Sequence, residues 1–169
     1  MMADVIPIAP EHIEGYRRAV DTVARERRYL TILEAFPLPA TRDFVFGLIE
    51  KGDPIYVALA NGEVVGWCDI QRHAFSSHAH RGTLGMGIIP EHRGRGIGSR
   101  LLDQTLKQAF ANGFVRIELS LRADNKRAMR LYEKLGFVKE GVLRDAVFVD
   151  GEYHDTISMA LINRGPSSK

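Results

Sequence analysis

The stretch 88–102, IIPEHRGRGIGSRLL, decides how this chain is read. An apolar strand end, Ile88-Ile89, meets a proline, and a turn with glycine at 94, 96 and 98 and arginine at 93 and 95 then opens a helix. A turn without side chains lets an anion approach backbone N–H groups that the first turn of a helix cannot satisfy internally. Two interleaved guanidinium groups suit phosphate oxygens. A merely tight strand-to-helix turn would explain the glycines but not the arginines. The phosphate loop of nucleotide hydrolases ends in Gly-Lys-Ser/Thr, which is absent. The dinucleotide fingerprint G-x-G-x-x-G fails at Ser99 and is interrupted by Pro90-Glu91-His92. The turn therefore reads as a pyrophosphate cradle made by Arg93, Gly94, Arg95, Gly96, Ile97, Gly98 and Ser99.

Downstream of the turn, Leu101, Leu102, Leu106, Ala109 and Phe110 mark one face of a helix that stops near Asn112-Gly113. Residues 114–121 alternate as a strand, with Ile117, Leu119 and Leu121 on one face and Arg116, Glu118 and Ser120 on the other. Asp124 or Asn125 caps a further helix whose stripe is Ala128, Leu131, Tyr132 and Leu135, and Gly136 ends it. Residues 137–149 and 152–161 read as two long strands turning at Asp150-Gly151. Upstream, residues 5–8 read as a strand, and Pro10 opens a helix carrying Ile13, Tyr16, Val20 and Val23. The segment after it breaks at Pro37 and Pro39, and Thr41 reads as the cap of a second helix with Phe44, Val45, Leu48 and Ile49. Residues 54–60 and 63–71 form a hairpin at Asn61-Gly62, and 83–89 is the strand that feeds the glycine turn.

The 169 residues suit one domain with a substantial core, 45% of them hydrophobic and 26% charged. A net charge of +2 does not call for nucleic acid, and no apolar run reaches the roughly 20 residues of a membrane span. The N-terminal residues lack the pattern of a secretion signal, so the cytoplasm is the expected location. The lone Cys68 sits in the apolar run VVGWCDI and reads as a small buried hydrophobe. His73, His78 and His80 share one loop-like stretch with no second cluster to complete a site, so no metal is expected.

Arg93, Gly96 and Gly98 match the R/Q-x-x-G-x-G/A motif residue by residue, and with it the chain resembles the GNAT superfamily of acetyl-CoA-dependent N-acetyltransferases. A second family element follows, ADNKRAMRLYEKLGF at 123–137. The resemblance covers residues 4–162 and leaves 163–169 as a polar tail. It implies a single-domain α/β (α+β) fold with a mixed, mostly antiparallel sheet of six to seven strands, a splayed central parallel pair and about four flanking helices. It implies acetyl-CoA as co-substrate, with the pantetheine arm between strands 83–89 and 114–121 and its amides bonded by backbone near Gly87, Ile88 and Ile89. Asn125 would lie beside that arm, Tyr132 near the thioester sulfur, and Arg100, Lys126 or Arg127 near the remaining phosphate.

Acetyl transfer to an amine needs a neutral nitrogen, a polarised carbonyl and a leaving sulfur that is protonated or hydrogen-bonded. Tyr132 is the candidate general acid. In the ribosomal-protein alanine acetyltransferase subgroup a glutamate precedes this helix, and here that position is Ser120. Glu118 and Asp69 are the candidate bases, Asp69 because its apolar flanks would raise its pKa. Residues 29–36, with Glu34 as a partner for a cationic amine, and the terminal hairpin are expected to recognise the acceptor. The function so implied is acetylation of a primary amine on a small or amino-acid-like molecule, with a homodimer as the expected assembly. The alternatives are a protein N-terminal or lysine acetyltransferase, and a non-catalytic acyl-CoA sensor.

Overall fold

The computed structural model describes residues 2–166. The last part of the expected polar tail, 167–169, lies outside the described residues. The elements run in chain order as β1 (Asp4–Pro7), α1 (Ile13–Arg25), α2 (Leu38–Lys51), β2 (Ile55–Ala60), β3 (Glu63–Arg72) and β4 (Arg81–Ile88), then α3 (Ile97–Ala111), β5 (Arg116–Arg122), α4 (Lys126–Lys134), β6 (Val138–Val149) and β7 (Glu152–Ile162). The seven strands form one sheet in the order β1-β2-β3-β4-β5-β7-β6. All its pairs are antiparallel except β4 with β5.

Both hairpins turn where the sequence places them. Asn61 and Gly62 have φ of 51° and 78°, and Asp150 and Gly151 have 53° and 78°, the paired positive values that match the twist of flanking strands. The start of α2 differs from the expectation. Thr41 lies inside that helix, its hydroxyl bonding back to the Phe36 and Pro37 carbonyls at 3.3 and 3.2 Å. Pro39 sits in the first turn, where its missing N–H costs no helical bond, so it opens the helix instead of breaking the chain.

Two cores lie on opposite faces of the sheet. One face sets Cys68, Ile70, Leu84, Ile117, Leu119 and Leu121 against Leu101, Leu102 and Leu106 of α3 and Tyr132 of α4. The other sets Ile55, Val57 and Trp67 against Tyr16 and Val23 of α1 and Val45 and Leu48 of α2. Because side chains alternate along a strand, Trp67 and Asp69 share the second face with Gly85 and Gly87 of β4. A side chain at Gly87 would begin 2.4 Å from the Trp67 ring, so that ring takes the space a side chain would need. β4 therefore carries none at 87 on the α1–α2 face, and at 85 the open space is bordered by the Asp69 carboxyl.

The parallel pair is short. Arg81, Gly82 and Thr83 pair with Arg116, Ile117 and Glu118, and the ladder ends there. Ion pairs fasten this closed end: Glu118 binds Arg81 at 2.7 Å and Arg116 at 2.6 Å, and Arg116 forks onto Glu140 at 2.9 and 2.5 Å, while the His73 ring lies 3.1 Å from Glu118. Beyond Thr83 the two strands part.

Candidate active site

The parting of β4 and β5 opens a cleft of about 450 Å³ that passes between the strands. Ile89 N donates to Val65 O at 2.9 Å and His73 N to Arg81 O at 3.0 Å. Bonding direction alternates along an antiparallel strand, so Gly85, Gly87 and Ile89 bond toward β3 while the backbone of Leu84, Met86 and Ile88 turns toward β5 and the cleft, where Arg93 Nε takes the Ile88 carbonyl at 2.8 Å. Of Gly87, Ile88 and Ile89, all expected to bond a pantetheine arm, only Ile88 faces it. Gly87 lines the cleft with its Cα, and the Ile89 amide is already taken. The same parity turns the backbone of Glu118 and Ser120 inward from β5, since Val115 O accepts from Asn163 N at 2.8 Å.

The glycine turn closes one mouth of the cleft. Gly94 and Gly96 have φ of 76° and 77°, a region costly for residues with a Cβ, and Gly96 is the N-cap of α3. The first intrahelical bond runs from Arg100 N to Gly96 O at 3.3 Å, which leaves the amides of Ile97, Gly98 and Ser99 without helical partners. Gly94, Gly96, Ile97, Gly98 and Ser99 all line the cleft, as do Asn125 and Tyr132. Asn125 is the N-cap of α4, its Oδ1 accepting from Ala128 N at 3.2 Å.

The arginines are distributed differently from the sequence reading. Arg93 does line the cleft, but its guanidinium forks onto Glu26 at 2.9 and 2.5 Å and its Nε donates to Ile88 O at 2.8 Å. Arg95 is exposed and outside the cleft lining, and Arg100 donates to the Ala3 carbonyl at 2.6 Å. Arg127 stands over the turn, its Nη2 3.1 Å from where a Gly94 side chain would begin. It makes no ion pair among the described residues. Of the expected acceptor segment, Tyr29, Leu30 and Thr31 form a wall of the cleft, whereas Glu34 sits at the surface 3.4 Å from Arg25.

Three ionisable candidates occupy three different settings. Tyr132 is buried at the floor of the cleft on the α3–α4 face. Burial first, and the Cys68 thiol second, push its phenol above the ordinary tyrosine range, so it is a neutral hydrogen-bond donor. Asp69 lies on the opposite face. It does not line the cleft, but its two carboxyl oxygens lie 3.6 and 3.7 Å from where a Gly85 side chain would begin, and Gly85 does line it. Burial alone pushes the Asp69 carboxyl up to about 7. Glu118, the other expected base, sits at the closed end of the strand pair. Burial works to raise its pKa, but the hydrogen bonds from Arg81 and Arg116 outweigh it and hold the carboxyl below the usual range. It is engaged there by Arg81 and Arg116 and helps to fasten the sheet.

The sheet thus parts at its parallel pair, with the open amides at the start of α3 at the mouth of the opening. The model of the Acetyltransferase (GNAT) family matches residues 16–137, and the chain belongs to this family. It is 28% identical over 160 residues to an uncharacterized prophage-derived N-acetyltransferase of Bacillus subtilis, YokL, covering 91% of this chain and 86% of that one. It is also 36% identical over 76 residues to the spermidine N(1)-acetyltransferase of Vibrio cholerae, which covers 44% of each. Among solved structures, a phosphinothricin acetyltransferase from Sinorhizobium meliloti, determined in complex with acetyl-CoA, superposes with a TM-score of 0.92 at 20% identity. That match spans 100% of this chain and 93% of the other.

Proposed function

We propose that the chain transfers an acetyl group from acetyl-CoA to a primary amine of a small or amino-acid-like acceptor, by direct attack of the amine on the thioester, in the cytoplasm and as a homodimer. The observation that carries this reading is the seam between β4 and β5, where the Leu84 carbonyl, both backbone groups of Met86 and the Ile88 N–H face the opening beyond the last strand pair and run back from the glycine turn. An extended arm bearing amides, such as pantetheine, pairs with such an edge as an added strand. The amides of Ile97, Gly98 and Ser99, with Arg127 above them, suit a pyrophosphate. The spermidine acetyltransferase among its relatives supports a small amine as acceptor. Ser120, where the protein-acetylating subgroup carries glutamate, speaks against a protein terminus.

In this reading the acceptor enters on the face of Asp69, Gly85 and Ser120. Asp69, poised near neutral pH behind Gly85, takes a proton from the amine through an intervening water as the nitrogen attacks the carbonyl carbon. The carbonyl oxygen gains negative charge, which an N–H of the β4 edge stabilises. The carbon–sulfur bond breaks and its electron pair stays on sulfur. Tyr132, across the sheet, donates a hydrogen bond to that thiolate. Even at ordinary values, a phenol near about 10 and a thiol near about 8.5, full transfer of its proton is uphill by roughly 2 kcal/mol. Burial of Tyr132 widens the gap, so the thiolate takes its proton from solvent, to which Asp69 returns the one it removed. The products are an amide and free coenzyme A.

The test is thiol release from acetyl-CoA with a panel of spermidine, free amino acids, amine-bearing antibiotics and short peptides. Turnover with a small amine supports the proposal. Turnover with peptides alone favours protein acetylation, and tight acetyl-CoA binding with no turnover favours a sensor. Tyr132→Phe is expected to lower kcat at least about tenfold while leaving acetyl-CoA affinity unchanged. An unchanged kcat removes Tyr132 from the mechanism.

A further inference from the structure

Glu26 and Arg27 directly follow α1, and each ties the segment beyond them to a different side of the cleft. The Glu26 carboxylate takes both terminal nitrogens of Arg93, a fork that fixes orientation as well as distance. Arg93 is held from its own side by the Ile88 carbonyl, and its guanidinium carbon lies 4.8 Å from the centre of the Tyr29 ring, within the range of a cation–π contact. Arg27, at φ 60°, donates its Nε to Asp150 in the β6–β7 turn at 2.9 Å. At the far end of the segment, Asp21 accepts from Ala35 N at 2.9 Å and Arg17 donates to Phe36 O at 2.6 Å. Tyr29, Leu30 and Thr31, strung between these ties, are the wall of the cleft.

The two anchors are unequal. The side chains of Arg27 and Asp150 are 43% and 64% exposed, those of Arg93 and Glu26 24% and 26%. Exposed pairs contribute little, whereas separating a half-buried fork strands a charge on each side. Phosphate has no need of Arg93, because Arg127 and the open amides of α3 already face the turn.

We propose that Glu26 is a positioning residue that fixes the acceptor-side wall to the glycine turn through Arg93, and that Arg93 serves this wall and not the phosphates. The wall that meets the acceptor is thereby registered against the turn that holds the coenzyme. The inference rests on the acetyltransferase reading for the identity of that coenzyme alone.

The test compares the full chain with Glu26→Gln and Arg93→Lys by calorimetry with acetyl-CoA, by hydrogen exchange without it, and by steady-state kinetics. The acceptor is spermidine or, where another amine of the panel turns over faster, that amine. Both variants are expected to speed exchange of the bonded amides at the ends of the segment, Glu26, Arg27 and Ala35, at least tenfold and to keep the acetyl-CoA Kd within threefold. Glu26→Gln is further expected to raise KM for the amine at least fivefold with kcat within twofold, a split that loosened folding alone would not give. As a contrast, Arg127→Ala is expected to weaken acetyl-CoA at least tenfold. Tighter acetyl-CoA binding in Glu26→Gln would mean that Arg93, once released, goes to phosphate, and the proposal falls. Unchanged exchange at Glu26, Arg27 and Ala35 also overturns it. A native chain that binds no acetyl-CoA defeats the acetyltransferase reading, and the exchange comparison still decides for or against Glu26.

Discussion

Asp69→Asn is expected to lower kcat at least about a hundredfold and, at pH 8, to raise the melting temperature. The first effect is the size of a lost general base. The second follows from burial. Folding moves this carboxyl from an ordinary 3.8 to about 7, so between those values the folded chain keeps a proton that the unfolded chain has released. Stability therefore falls as pH climbs through that window and levels off above it. About three pKa units correspond to at most about 4 kcal/mol. Asparagine has no such ionisation, so the stability gain should be absent near pH 4 and complete by pH 8. Thermal melts at the two pH values read this directly, and the kcat/KM profile of the native chain should rise through about 7. A flat difference between the melts would mean that Asp69 is not protonated in the fold, and a retained rate that the amine loses its proton to solvent.

Gly96→Asp should weaken acetyl-CoA at least about a hundredfold while the protein stays folded. The residue has φ of 77° and no neighbour within 4 Å of a new Cβ, and aspartate tolerates the left-handed region better than most residues. Its carboxylate would compete for the helix-start amides that the pyrophosphate needs, and would set a negative charge against the phosphates. A melting temperature close to native together with lost calorimetric binding separates this from misfolding. Retained affinity would remove the phosphates from the turn.

Features set by neighbouring residues were legible in the sequence. The two-residue turns, the glycine run into α3 and a helix cap at Asp124 or Asn125 each depend on a few adjacent side chains, and the apolar flanks of Asp69 announced its burial. Thr41 misled because a proline in the first turn of a helix looks, in sequence, like a proline that breaks one. The fate of Arg93 was not legible, since its partner Glu26 is 67 positions away and charge alone cannot tell a phosphate from a carboxylate. Glu118 looked like a free strand carboxylate because Arg81 reaches it from the neighbouring strand. Which of Gly87, Ile88 and Ile89 faces the cleft depends on the β3–β4 register, and the loop between those strands does not encode that in any short pattern.

The seam between β4 and β5 has a consequence for the lifetime of the molecule as well as for its chemistry. Among the described residues the strand ladder between the two halves of the sheet is three residue pairs long, Arg81 to Thr83 against Arg116 to Glu118, with the His80 carbonyl and the side-chain contacts of Glu118 beside it at the same end. A co-substrate laid into the opening acts as stitching, and at a hundred times its Kd it would add about 2.7 kcal/mol against unfolding. Endurance under heat or protease would then follow the acyl-coenzyme supply, making the enzyme long-lived when its donor is plentiful and short-lived when the donor runs out.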